Sequence, residues 1–228
     1  AIAKQLLKEK GISVAAHIKS IKDIEDRDIE EKDITEENIE KLRNMVLPVF
    51  EEKKISEMEE LILKAREDGD SIGGVIEVMA TGVPAGIGDP FFESMESELS
   101  RMIFSVPATK GIEFGAGFDI ARMTGYEAND EMYYDADGRV KSYTNNNGGI
   151  TGGITNGMPI SFKVAIKPPA SIERKQKTVN LETKTNDFLE VRGRHDPVIV
   201  PRAVVVIEAA TAIVILDRLM ESQKNRGL

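Results

Sequence analysis

Four consecutive residues, Arg194, His195, Asp196 and Pro197, bring together a planar guanidinium, a titratable imidazole, a carboxylate and a proline suited to the first turn of a helix. The sequence after them, VIVPRAVVVIEAATAIVILDRLM, is apolar at most positions, so Asp196 is expected to cap a long helix with Pro197 in its first turn. The positive end of that helix beside Arg194 would face an anion well. Asp196 therefore carries two readings, a plain N-cap and a working carboxylate. The run Asn145 to Gly157, NNNGGITGGITNG, also carries two. Its glycines let backbone N–H groups converge on an anion or a flat ligand, and the same run reads as a long solvent-exposed turn. Lys167 and Ser171, in IKPPAS, add donors able to hold phosphate.

Other chemistry-bearing residues have plainer readings. Glu208, inside VVVIEAATAIV, is expected to be buried and paired for structural reasons. His17, on a β-branched stretch, is expected to be a satisfied structural histidine. The run IEFGAGFDIA superficially offers a G-x-G nucleotide fingerprint, but its last small residue is out of register. Met123, Thr124 and Gly125 break the helix that should follow, so a strand and turn are expected.

Composition narrows the classes. The chain has 228 residues, 41% hydrophobic and 30% charged, which excludes disorder, collagen and coiled coil. With no cysteine there is no disulfide, zinc-thiolate site or thiol nucleophile. The net charge of −9 is local, because residues 22–70 hold 18 Asp and Glu against 9 Lys and Arg. Between Lys163 and Arg202 the sign reverses, nine bases to five acids, a patch suited to a small anion and not to nucleic acid. The opening AIAKQLLKEKG lacks a signal-peptide pattern, and Ala203–Leu216 is too short and carries Glu208, so no membrane segment is expected. We expect a cytoplasmic protein.

Periodicity places these residues on elements. A short opening helix precedes a strand at Ile12–Ile21, and two helices follow in the acidic stretch, one near Thr35–Met45 and one opening at a Ser56/Glu59 capping box and ending near Gly69. Ser71–Val83 reads as a strand whose adjacent Gly73 and Gly74 invite a bend or close backbone contact. Asp89 and Pro90 are expected to cap and open an amphipathic helix, FFESMESELSRMIFS. A strand at Ile160–Lys167 ends in Pro168-Pro169. The long C-terminal helix, with only a thin polar stripe, is expected to be central and covered on both sides.

Together these segments resemble chorismate synthase. The resemblance is carried by GGVIEVMATGVPAGIGDPFFESMESELSRMIFSVPATKGIEFGAGF from Gly73, GGITGGITNG from Gly148, IKPPAS from Ile166 and GRHDPVIVPRAVVVIEAATAIVILD from Gly193. It implies an α+β fold, a β-α-β sandwich with long central helices between two sheets, in one domain spanning 1–228. On that comparison the acidic stretch 22–70 looks like a variable helical surface region. It also implies a cytoplasmic, homotetrameric lyase of the shikimate pathway. Such an enzyme eliminates phosphate from 5-enolpyruvylshikimate 3-phosphate by a 1,4-anti route, giving chorismate, and requires reduced FMN. NADPH and an external reductase both remain open as the source of flavin reduction.

Carried over residue by residue, the family's flavin contacts fall on Pro107 and Ala108, on Gly152, on Lys167, Pro168, Pro169, Ala170 and Ser171, and on Arg194. Asp196 matches the acid assigned to proton handling near flavin N5. KPPAS stands where the family more often has a KPTSS-like run, so hydroxyls are missing at Pro169 and Ala170. The resemblance implies that the family's N-terminal third lies outside this chain. That third carries GESHG, a second catalytic histidine, the substrate arginines and the Ser-Ala-Arg flavin motif. An alternative from another class is a non-catalytic flavin-binding or assembly module.

Overall fold

A computed structural model describes residues 2–193 and 195–225. In chain order the elements are α1 (Ile2–Glu9), β1 (Ser13–Ile21), β2 (Ile24–Glu25), α2 (Glu36–Asn44), α3 (Lys53–Glu67), β3 (Gly74–Thr81), α4 (Met95–Phe104), β4 (Thr109–Phe114), α5 (Gly125–Ala128), β5 (Met132–Tyr134), β6 (Val140–Ser142), β7 (Ile150–Thr151), β8 (Ile154–Thr155), β9 (Ile160–Ile166), β10 (Gln176–Asn180), β11 (Thr185–Leu189) and α6 (Val200–Asn225). Five strands form one antiparallel sheet in the order β2-β1-β3-β9-β4, and the other six pair as three two-stranded ribbons.

Alternation along β9 explains the sheet's inner face. Ile160, Phe162, Val164 and Ile166 are buried while the residues between them are partly open. Against that face pack α4, through Met95, Leu99 and Ile103, and α6, through Val200, Val204, Ile207 and Ile215. Each such side chain contributes about 1.5–3 kcal/mol on leaving water. The outer face is also covered: Ala15 of β1 and Met79 of β3 meet Ile29 and Ile39 in a second, smaller cluster. The acidic stretch thus reaches into the interior more than a surface addition would. Leu47, Val49 and Met58 belong to the main core, and the Pro48 carbonyl accepts from Ile18 N–H at 2.8 Å on the free edge of β1.

The class expected from the sequence, α+β, is what the structure shows. The described residues form one five-stranded sheet beside three small ribbons, with the long helix α6 packed on that sheet. Coverage of α6 is one-sided among them: Val205, Val206, Ile213 and Met220 are exposed, where a doubly covered helix was expected.

Three helix starts differ from the sequence reading, each for a tertiary reason. α3 begins at Lys53, not Ser56, because the Asp26 carboxylate reaches over from another segment and accepts from Phe50 and Glu51 N–H at 2.6 and 3.0 Å, just ahead of the helix. α4 is capped by Ser94, which accepts from Ser97 N–H at 3.1 Å, and not by Asp89. Starting there lets Met95 N–H donate to Gly153 O at 3.0 Å and buries Met95, Leu99 and Ile103 at four-residue spacing. α6 begins at Val200, so Asp196 is not its cap and Pro201 occupies the first turn in place of Pro197. The Pro197 carbonyl is already engaged by Ile72 N–H at 2.8 Å.

Candidate functional site

Antiparallel register aligns four chain ends along one rim of the sheet. Ile21 pairs with Gly74, Gly74 with Ile166, and Ile166 with Thr109. The residues just beyond those ends are therefore neighbours, and they include most of the positions singled out in the sequence. Ala108 precedes Thr109 and accepts from Lys167 N–H at 2.9 Å, which joins the Pro107–Ala108 turn to the Lys167–Ser171 run. On the other flank, Ser71 Oγ donates to Pro169 O at 2.5 Å and Ile72 N–H donates to Pro197 O, so Asp196 is held close to the same rim.

The rim is open. Pro107, Lys167, Pro168, Ala170 and Ser171 are exposed, and Pro169, Ala108 and Asp196 are half-buried. Lys167 has no ion pair among the described residues, so its ammonium is available to an anion. Ala108 adopts a φ of +71°, a left-handed conformation unusual for a residue with a Cβ. Such backbone strain collects at ligand clamps and turns.

Asp196 is engaged by both carboxylate oxygens: Arg202 Nη1 and Nη2 donate to Oδ2 and Oδ1 at 2.7 and 3.0 Å. This fork fixes the plane of the carboxylate. The cap expected of Asp196 is thus replaced by an ion pair across the first turn of α6. Arg194 lies outside the described residues.

Gly152 is not at this rim. It occupies the turn between β7 and β8, and that ribbon docks on the start of α4 through the Gly153 carbonyl and lies beside the Ile160 end of β9. The seven residues of β9 span about 20 Å, so the sheet separates Gly152 from Lys167. Gly152 has a φ of +60°, and a Cβ there would meet nothing within 4 Å. It is open backbone on a tight turn, able to approach a ligand but not braced against the rest of the set. A separate small cavity of about 40 Å³, between α2, β1 and α6, is lined by Glu208 but by none of the residues carried over as flavin contacts or by Asp196, and is too small for a cofactor.

The plainer readings are met. Glu208 is buried and paired with Lys4, and Arg43 Nη2 lies 3.5 Å from it. Burial pulls the Lys4 pKa down despite that carboxylate. IEFGAGFDIA forms β4 and a 3-10 turn. His17 is fully buried, with Nδ1 3.2 Å from Asp26 Oδ2 and Nε2 2.8 Å from Glu77 Oε2. Burial alone would lower the imidazole pKa; its bonds to Asp26 and Glu77 outweigh that and raise it. Sequence reasoning missed both partners, because Asp26 comes from a neighbouring turn and Glu77 from the facing strand. It also missed Ser71, for which the glycine pair behind it was the available signal.

A family model, that of chorismate synthase, matches residues 1–220. The chain belongs to the chorismate synthase family. A chorismate synthase from Methanocaldococcus jannaschii is 45% identical to it, covering 97% of this chain and 61% of the relative. One from Dehalococcoides mccartyi is 51% identical over 71% of this chain and 44% of its own length. A solved structure described as the crystal structure of chorismate synthase superposes with a TM-score of 0.76 at 31% identity, covering 97% of this chain and 61% of that one. The fold is thus that of chorismate synthase, and the chain spans about three-fifths of the length of these relatives. No described helix is long and apolar enough to cross a membrane.

Proposed function

We propose that this chain forms one side of a chorismate synthase active site, which converts 5-enolpyruvylshikimate 3-phosphate to chorismate and phosphate by a 1,4-anti elimination with reduced FMN bound. Family membership supports the lyase class. The observation that carries the site is the convergence of Ala108, Lys167–Ser171 and the Asp196–Pro197 segment on one rim, through three separate hydrogen bonds.

The donor set at the rim fits the anionic portion of a flavin or of a phosphorylated substrate. It offers an unpaired ammonium, the Ser171 hydroxyl and a strained backbone turn without bulky side chains. Gly152, a strand's length away, would reach such a ligand only at its far end. The chemistry that reduced FMN would supply when bound is electron density for the allylic system, with no net redox change over the reaction. The chain's own residues bind and orient. Lys167 and Ser171 would neutralise and hydrogen-bond an anion, and the turn at Pro107–Ala108 would set its plane. Asp196, fixed by Arg202, would assist proton handling near the flavin N5 position. In this reading the working form is a cytoplasmic homotetramer.

An anaerobic assay of chorismate and phosphate release tests the reaction. Chorismate is expected only with dithionite-reduced FMN; turnover independent of flavin, or none in the most complete form of the protein, would overturn the reading.

A further inference from the structure

The two prolines of IKPPAS leave that run poorly fastened. Pro168 and Pro169 have no backbone N–H to donate. Between Lys167 N–H, bonded to Ala108 O, and Glu173 N–H, bonded to Gly69 O at 2.9 Å, no backbone–backbone hydrogen bond holds the described chain. Those intervening residues are the ones assigned above to the anion, and most are exposed. A free loop there would have to be ordered by the ligand, at a cost in affinity.

Fastening comes from the neighbouring strand entrance. Ser71 Oγ donates to Pro169 O at 2.5 Å, anchoring the run at its middle through the carbonyl of a residue that has no N–H of its own. Asp70 Oδ1 accepts from Ser71 N–H at 2.8 Å, while its Oδ2 accepts from Arg174 at 2.6 Å. Ile72 N–H holds Pro197 O, and so the residue after Asp196. Gly73 closes the seam, because a Cβ there would lie 2.4 Å from Ile166 O and 3.0 Å from Pro168 Cδ. Within Gly69–Gly73, Gly69 and Asp70 thus hold Glu173 and Arg174 just after the run, Ser71 and Gly73 meet the run itself, and Ile72 holds the Asp196–Pro197 segment.

We propose that Gly69–Gly73 is the positioning element of the site and that the Ser71 hydroxyl sets the register between the Lys167–Ser171 run and Asp196. Ser71 touches no ligand and acts through Pro169. Its importance to the ligand rests on the reading of Lys167–Ser171 as anion-binding, whereas its role as a brace stands on the geometry alone.

Ser71→Ala removes one hydroxyl from a half-buried position and introduces no clash, and Ser71→Thr retains the hydroxyl. Amide exchange is followed at Lys167, Glu173 and Ile72, with Phe162 and Val164 as reporters of global opening, and FMN affinity is measured by flavin fluorescence on the same samples. In Ser71→Ala, exchange at Lys167, Glu173 and Ile72 should rise about fivefold, the share of one hydrogen bond, with Phe162 and Val164 unchanged and FMN weakened similarly. Ser71→Thr should restore both. Unchanged exchange at the three amides, or an equal rise at all five, would overturn the brace. Selective exchange with unchanged FMN affinity would overturn its role toward the ligand. If the unsubstituted protein binds no FMN, the cofactor reading fails, and the exchange data still decide the brace.

Discussion

Asp196 and His17 are both carboxylate-linked groups near the sheet, yet their surroundings give them different work. Asp196 is half-buried at an open rim and clamped in one plane by Arg202, so it can meet a ligand. Asp196→Ala in the active protein should lower turnover by about 10²–10⁴, the range for lost proton transfer. FMN affinity should change by no more than about fivefold, since only an exposed ion pair is removed. Steady-state kinetics beside a flavin titration check this, and an equal fall in both would make the residue positional. His17 is sealed between Asp26 and Glu77 and touches nothing outside the protein. Its raised pKa makes its contribution to stability complete below about pH 6.5, the ordinary imidazole value, and lost as pH rises through the raised value. Asp26 runs the other way: burial raises its pKa, but bonds from His17 and from Phe50 and Glu51 N–H hold it lower. Its contribution is complete above about pH 3.9 and lost as pH falls through the lowered value. His17→Gln should cost roughly 3 kcal/mol at pH 6, as for one partner removed from a buried ionic cluster. Urea denaturation across pH should show its alkaline limb flattened and its acid limb reduced but not abolished, since the Phe50 and Glu51 N–H bonds to Asp26 remain; an unchanged alkaline limb would contradict the assignment.

At the scale of elements, strands were more legible than helix starts. The β-branched runs at Ile12–Ile21 and Ile160–Lys167 and the glycine-led run at Ser71 all became strands within a few residues, since alternation is a local property that burial then reinforces. Helix starts were misplaced because contacts from distant segments fix them. Asp26 precedes α3 from 24 residues away, Gly153 fixes the start of α4, and Ile72 takes the Pro197 carbonyl that an earlier start of α6 would need. The candidate site was legible as residue types, but convergence on one rim depends on register across three strands, which no spacing reveals. Gly152 shows the same limit from the other side, being close to Lys167 in sequence and a strand's length away in space. Its left-handed φ with open space beyond separates two roles. Gly152→Ala should cost only about 1–2 kcal/mol in stability, for the conformation alone. If the β7–β8 turn contacts the flavin, affinity should fall by more than that loss; unchanged affinity would remove Gly152 from the site.

At the scale of the whole molecule, the anion site proposed above is one preorganised rim of a chorismate synthase-family sheet. The apolar surface of Val205, Val206, Ile213 and Met220 on α6 belongs to a chain that spans about three-fifths of its relatives, so site and fold must be tested together. The direct measurement is a titration of this chain with oxidised and with dithionite-reduced FMN, each with and without 5-enolpyruvylshikimate 3-phosphate. Saturable binding, tightened by substrate and weakened by Lys167→Ala, is the predicted result. Absence of binding, or binding indifferent to Lys167 and to substrate, would contradict a preorganised site at this rim.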